Sequence, residues 1–175
     1  MRFHHKGLLD VEKGKLVTAF PTWSTEYLIE FDIIVTDNAG MTDNYINVFH
    51  VSNISSNDGD GSKIPGAWLN KDFFRFCCGN NDCVTLNGAK DKYKLNTLYH
   101  FKITQELEGE KVMFKARHVD SQLYFTENPS PKEYENVKLY VSDPWSDSFA
   151  SHGTISNLEI TDLSLYKLAL VSEGK

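Results

Sequence analysis

Apolar side chains recur at every second position along most of this chain, a period that fits β-strands and excludes helices. From Glu26 to Thr36, the residues Tyr27, Ile29, Phe31, Ile33 and Val35 point one way, and Glu26, Leu28, Glu30, Asp32 and Ile34 point the other. Leu98 to Gln105 sets Tyr99, Phe101 and Ile103 against His100, Lys102 and Thr104. Val112 to Val119 sets Val112, Phe114 and Ala116 against Met113, Lys115 and Arg117, and Val137, Leu139 and Val141 alternate with Lys138, Tyr140 and Ser142. Shorter strands are expected at Tyr45–Ser52, Ile64–Asn70, Phe73–Cys78, Cys83–Leu86 and Leu123–Thr126. Asn38-Ala39-Gly40, Asn57 to Gly61, Asn87-Gly88 and Glu108-Gly109-Glu110 read as the turns between them. Roughly a dozen short strands with frequent turns predict an all-β fold, an antiparallel two-sheet β-sandwich of the jelly-roll kind. A first strand over Gly7–Phe20 is expected to pair with the last, Thr154–Tyr166, and close a sheet.

The chain of 175 residues suits a single domain, taken here as 1–167 with a tail at 168–175. Aromatic residues make up 13%, a share that favours β-structure, where rings pack well on a pleated surface. A net charge of −6 argues against nucleic acid as a partner, since counterion displacement needs a basic face. No apolar run is long enough to insert in a membrane as a helix. The opening residues, Met1 to Asp10, lack the apolar stretch of a signal peptide. Two addresses stay open on that ground: a cytosolic protein, or a mature secreted domain.

The cysteines lean toward secretion. Cys77, Cys78 and Cys83 lie within a dozen residues, around the turn-forming Gly79-Asn80-Asn81-Asp82. A hairpin with that four-residue loop sets Cys78 opposite Cys83, within disulfide reach, and turns Cys77 to the other face as a buried thiol or an intermolecular partner. A bulge that shifts the register gives Cys77–Cys83 instead, and three reduced thiols in a cytosolic protein is the remaining alternative. The spacing lacks the paired C-x2-C of a zinc site. Asn53-Ile54-Ser55 is an N-glycosylation sequon, expected on a surface loop of a secreted chain.

A succession of short segments resembles the farnesoic acid O-methyltransferase-like family, a laminin-G-like relative found mostly in secreted and cell-surface proteins. It runs through Thr18-Ala19-Phe20-Pro21-Thr22, Tyr27 to Asp32, Val48 to Val51 and Lys63-Ile64-Pro65-Gly66-Ala67-Trp68. It continues through Tyr99 to Gln105 and from Glu127-Asn128 into Val137 to Trp145. The resemblance implies a laminin-G-like sandwich, an extracellular address and a closing hairpin over Glu135–Ile160. Lys63 stands where the family usually carries an arginine, so a role that needs a bidentate guanidinium does not transfer.

Methyl transfer, which the family's name suggests, would require a glycine-rich strand-to-helix turn in an α/β sheet, and the glycines here fall in hairpin loops. Glu26, Glu30 and Asp32 share a strand face and would be the carboxylates of a glycoside hydrolase. A laminarinase-like E-x-D-x-x-E pattern would need Glu where Val35 stands, and cross-strand pairing with Lys102, Lys115, Arg117 and Lys138 accounts for the same residues without catalysis. Asp58 and Asp60, in the Asn57–Gly61 loop, supply hard oxygens for calcium, which laminin-G-like relatives often hold at a loop rim; a solvated acidic turn is the plainer reading. Trp145 follows Asp143-Pro144 at a strand end, and Trp68 ends another strand. Each is a core plug or a sugar platform, and on the second reading Asp143, Tyr140 and Asn70 support it. His50 reads as a core or rim residue. The expectation is therefore a non-enzymatic extracellular module that binds glycans or glycoproteins, with calcium as a candidate aid. A self-assembling homo-oligomeric module, through Cys77 or a sheet edge, is the alternative.

Overall fold

The computed structural model describes residues 1–165 apart from 42–43, 57–58, 80–81, 89–90, 119–120, 143, 146–148 and 150–151. Twelve strands follow in order: β1 (Arg2–Leu8), β2 (Lys15–Trp23), β3 (Tyr27–Val35), β4 (Ile46–Ser52), β5 (Lys63–Leu69) and β6 (Phe74–Gly79). The rest are β7 (Asp82–Thr85), β8 (Leu98–Glu108), β9 (Lys111–His118), β10 (Tyr124–Glu127), β11 (Tyr134–Val141) and β12 (Gly153–Asp162). They form two six-stranded antiparallel sheets: β1-β12-β3-β8-β9-β10, the first sheet, and β2-β11-β4-β5-β6-β7, the second. The expected two-sheet sandwich is what the chain adopts.

Alternation decides which residues fill the space between the sheets. In β3, Tyr27, Ile29, Phe31, Ile33 and Val35 are buried, while Leu28, Glu30, Asp32 and Ile34 are half-exposed. Phe31 and Phe101 of the first sheet stack at 5.4 Å between ring centres. Phe49 meets Phe31 from the second sheet at 5.2 Å, and Phe74 and Phe76 meet Phe101 at 4.6 and 5.1 Å. Such ring pairs contribute about 0.5–1.5 kcal/mol each beyond the area they bury. They fix the sandwich at its middle.

Three expectations are corrected. The chain over Gly7–Phe20 is two strands: β1 pairs with β12, whereas β2 joins the other sheet beside β11. The turn before β2, where Gly14 takes a φ of +76°, carries the chain from one sheet to the other. Glu135–Ile160 does not form a hairpin, because β11 lies in the second sheet and β12 in the first. The third concerns the cysteines. Cys77 pairs with Cys83 and Cys78 faces Asp82, so the hairpin loop is one residue shorter than Gly79–Asp82 and no bulge intervenes. The disulfide is Cys77–Cys83, and Cys78 is a buried free thiol.

Candidate functional site

Aromatic rings gather on the outer face of the second sheet. The register sets Tyr140 of β11 beside His50 of β4 and His50 beside Gly66 of β5. Gly66 leaves room for the Trp68 ring: a Cβ there would stand 2.2 Å from that ring's far edge. Trp68 meets His50 edge-on at 5.3 Å, and Trp145, from the segment after β11, meets His50 at 5.4 Å and Tyr140 at 5.6 Å. His50 is fully buried, and its Nε2 donates to the carbonyl of Ser62. Nearby, Asn47 donates from Nδ2 to the Phe49 and Ala67 carbonyls at 3.1 and 3.3 Å, and Arg75 lies over the Tyr45 ring at 5.2 Å. Trp145 and Tyr140 stay half-exposed, with Leu16 exposed across the strand pair from Tyr140.

Of the residues singled out in the sequence, Trp145, Tyr140 and Trp68 thus come together, with His50 as the hub. Trp68 is only 6% exposed and backs the surface rather than forming it. Asn70 does not join them. Its Oδ1 accepts from the backbone N–H groups of Asp72 and Phe73, and its carbonyl accepts from Tyr93, so it shapes the turn after β5. Asp143 and Asp58 lie outside the described residues. Asp60 is ion-paired with Lys132 and accepts from the Tyr134 hydroxyl at 2.8 Å, and these hydrogen bonds hold its carboxyl below the usual value. Burial and that contact in turn push Tyr134 well above the ordinary phenol value. A cleft of about 290 Å³ lies here, lined by Asp60, Asp82, Asn128 and Ser130 among others. No set of three His, Cys, Asp or Glu side chains converges as metal ligands among the described residues. Asn53, the sequon residue, is exposed just after β4.

The outer face of the first sheet is charged. Each of the three carboxylates weighed for hydrolysis has a partner there: Glu26 accepts from the Leu107 N–H at 2.9 Å, and Asp32 bonds His100 and Asn157 at 2.7 Å each. Glu30 lies 3.8 Å from His100. Lys115 pairs with Glu106 and Glu108. Lys102 and Arg117, expected to pair with the β3 carboxylates, form no ion pair among the described residues. They border two depressions of about 380 and 280 Å³. Sequence alternation marked both residues as outward-facing; only the strand register shows that they oppose each other.

No family model matches the sequence, and no curated protein does. Solved structures share the fold. A native heptameric SAP-like pentraxin from Limulus polyphemus aligns over 91% of this chain and 74% of its own, with a TM-score of 0.57 at 11% identity. The binding domain of botulinum neurotoxin serotype D aligns over 99% of this chain at a TM-score of 0.52 and 12% identity, and this chain spans only 42% of that one. The carbohydrate recognition domain of Emp47p covers 92% of this chain and 88% of its own, with a TM-score of 0.45 and 11% identity. The first two likenesses establish a jelly-roll sandwich shared with pentraxins, in keeping with the laminin-G-like expectation. The farnesoic acid O-methyltransferase-like label itself rests on the sequence resemblance alone.

Proposed function

We propose that the domain is a non-enzymatic extracellular module that binds glycans or glycoproteins through the half-exposed surface of Trp145 and Tyr140. The observation that carries this reading is the edge-to-face packing of Trp145 against the buried His50 on one side and Tyr140 on the other. A fixed, partly exposed Trp stacks on the apolar C–H face of a sugar at little entropic cost, and polar groups at its rim set orientation. The Cys77–Cys83 disulfide favours an oxidising, extracellular setting. With Cys77 in that bond and Cys78 buried, assembly of copies through a Cys77 thiol loses its residue. Calcium assistance belongs to the proposal through Asp58 and Asp60; a cation there would displace Lys132 from Asp60.

A glycan array probed with the oxidised protein, with calcium and then with chelator, tests the reading. The expected result is selective binding that Trp145→Leu reduces at least about tenfold, roughly 1.4 kcal/mol. Leu at 145 keeps apolar cover over His50, so the thermal midpoint should fall by only a few degrees. A blank array, or binding unaltered in Trp145→Leu, overturns the platform. Loss of binding in chelator assigns calcium a part, and binding that survives chelation removes it.

A further inference from the structure

We propose that the first sheet carries a second site: an anion-recognising cleft centred on Lys102 and Arg117 that takes an acidic saccharide chain, carboxylated or sulfated. Only the ligand class rests on the glycan-binding reading; the site lies on the opposite sheet from Trp145.

The register runs Glu30, Lys102, Arg117 across β3, β8 and β9, so the two cations stand directly opposite each other. Like charges in that relation destabilise a strand pair. The acids that could neutralise them are engaged elsewhere: Asp32 with His100 and Asn157, Glu106 and Glu108 with Lys115, and Glu30 alongside His100. Two cations thus oppose each other with no ion pair of their own among the described residues, and Glu30 is the one acid beside Lys102 in that register. An anion between them relieves the repulsion, and a planar carboxylate or sulfate face matches the fork of Arg117.

The surroundings narrow the class. Lys102 and Arg117 are shared by both depressions, so the cleft continues past them on either side. On one side stand Leu28, Leu123, the Thr104 hydroxyl and the Lys115–Glu106 ion pair, and on the other Glu30, His100 and His118. Aliphatic walls take the C–H face of a sugar ring, and Glu30, His100 and Thr104 take hydroxyls. An acidic peptide fits less well, because it lacks the ring C–H face and the hydroxyls that Leu28, Leu123, Thr104 and Glu30 would meet. Two contiguous depressions of this size admit successive sugar units of one chain.

The test is calorimetric titration of the whole protein with four probes: a sulfated hexasaccharide, a hexauronate, a neutral hexasaccharide and hexaglutamate. The expected result is binding of one or both acidic saccharides, weakened by salt, with neither the neutral saccharide nor hexaglutamate bound. Lys102→Ala and Arg117→Ala should each weaken it about tenfold or more, and the double variant should abolish it. Arg117→Lys should retain part of it, since it keeps the charge and loses the fork. Trp145→Leu should leave it unchanged, so failure here and failure of the aromatic platform are told apart. Because both side chains are on the surface, the variants should melt no lower than wild type, and Lys102→Ala is expected to gain slightly. Undiminished acidic-saccharide binding in the double variant, hexaglutamate bound as tightly as the saccharides, or no acidic saccharide bound at all would each overturn the proposal.

Discussion

Cys77 and Cys78 are neighbours whose side chains leave β6 on opposite faces, and that alone separates their chemistry. Cys77 reaches Cys83 on the outer face, while Cys78 turns inward beside Tyr27 and Tyr134, where burial pushes its thiol far above the ordinary value. A thiol held protonated and shielded from solvent does not react. Ellman's reagent at mildly alkaline pH should therefore find no thiol in the native protein and one in denaturant without reductant. After reduction in denaturant it should find three, the number of cysteines in the chain. Three reactive thiols before reduction would remove the Cys77–Cys83 bond, and one in the native protein would place Cys78 at the surface.

Strands are where the sequence was most legible, because burial on one face imposes the period-two pattern along β3, β8 and β9 residue by residue. Pairing was harder, since alternation says which way a side chain points and not which strand lies beside it. The two-strand nature of the N-terminal segment and the crossing from β11 to β12 are both matters of partner. The cysteine pairing turned on a single loop residue, which moved Cys83 from Cys78 to Cys77. For the same reason Trp68, Tyr140 and Trp145 could be named separately as ring candidates, while their meeting at His50 needed the β11–β4–β5 register. Asn70 looked like a ligand contact because its turn-capping bonds are local and invisible in composition. The loop after β4 shows the same point through Asp60, which ties it to Lys132 and to Tyr134 at the start of β11. Its folded-state pKa lies below the ordinary 3.8. The contact therefore stabilises the fold above that value and is lost as pH falls through the lower, folded-state value. In urea melts across pH, Asp60→Asn should be slightly less stable than wild type near neutrality, by well under about 1 kcal/mol for so exposed a pair. The two curves should merge in acid. A gap that persists at the lowest pH would mean that the carboxylate charge is not what holds the loop.

At the scale of the whole molecule, the first and last described strands lie side by side in one sheet, and their positions in it are unequal. Among the described residues β1 is an edge strand, joined only to β12, whereas β12 lies between β1 and β3. The first pair in that register is Arg2 with Thr161, so this part of the sheet closes only when β1 and β12 are both in place. Bringing such distant segments together is entropically costly and slows folding. β12 also places Ile155, Leu158 and Ile160 in the core with no exposure at all, while Phe3 of β1 is only partly buried. Losing three such aliphatic side chains at about 2–5 kcal/mol each rivals the whole stability of a domain, about 5–15 kcal/mol. Losing residues 1–9 removes one buried aliphatic side chain, Leu9, and the partly buried Met1 and Phe3, which costs less. A chain starting at residue 10 should therefore fold, with a lower thermal midpoint and a native near-ultraviolet circular dichroism spectrum. A chain ending at residue 152 should lack that spectrum and show no cooperative melt. If the second truncation melts cooperatively, β3 and β8 suffice to hold the first sheet, and β12 is a cover rather than a part of the core.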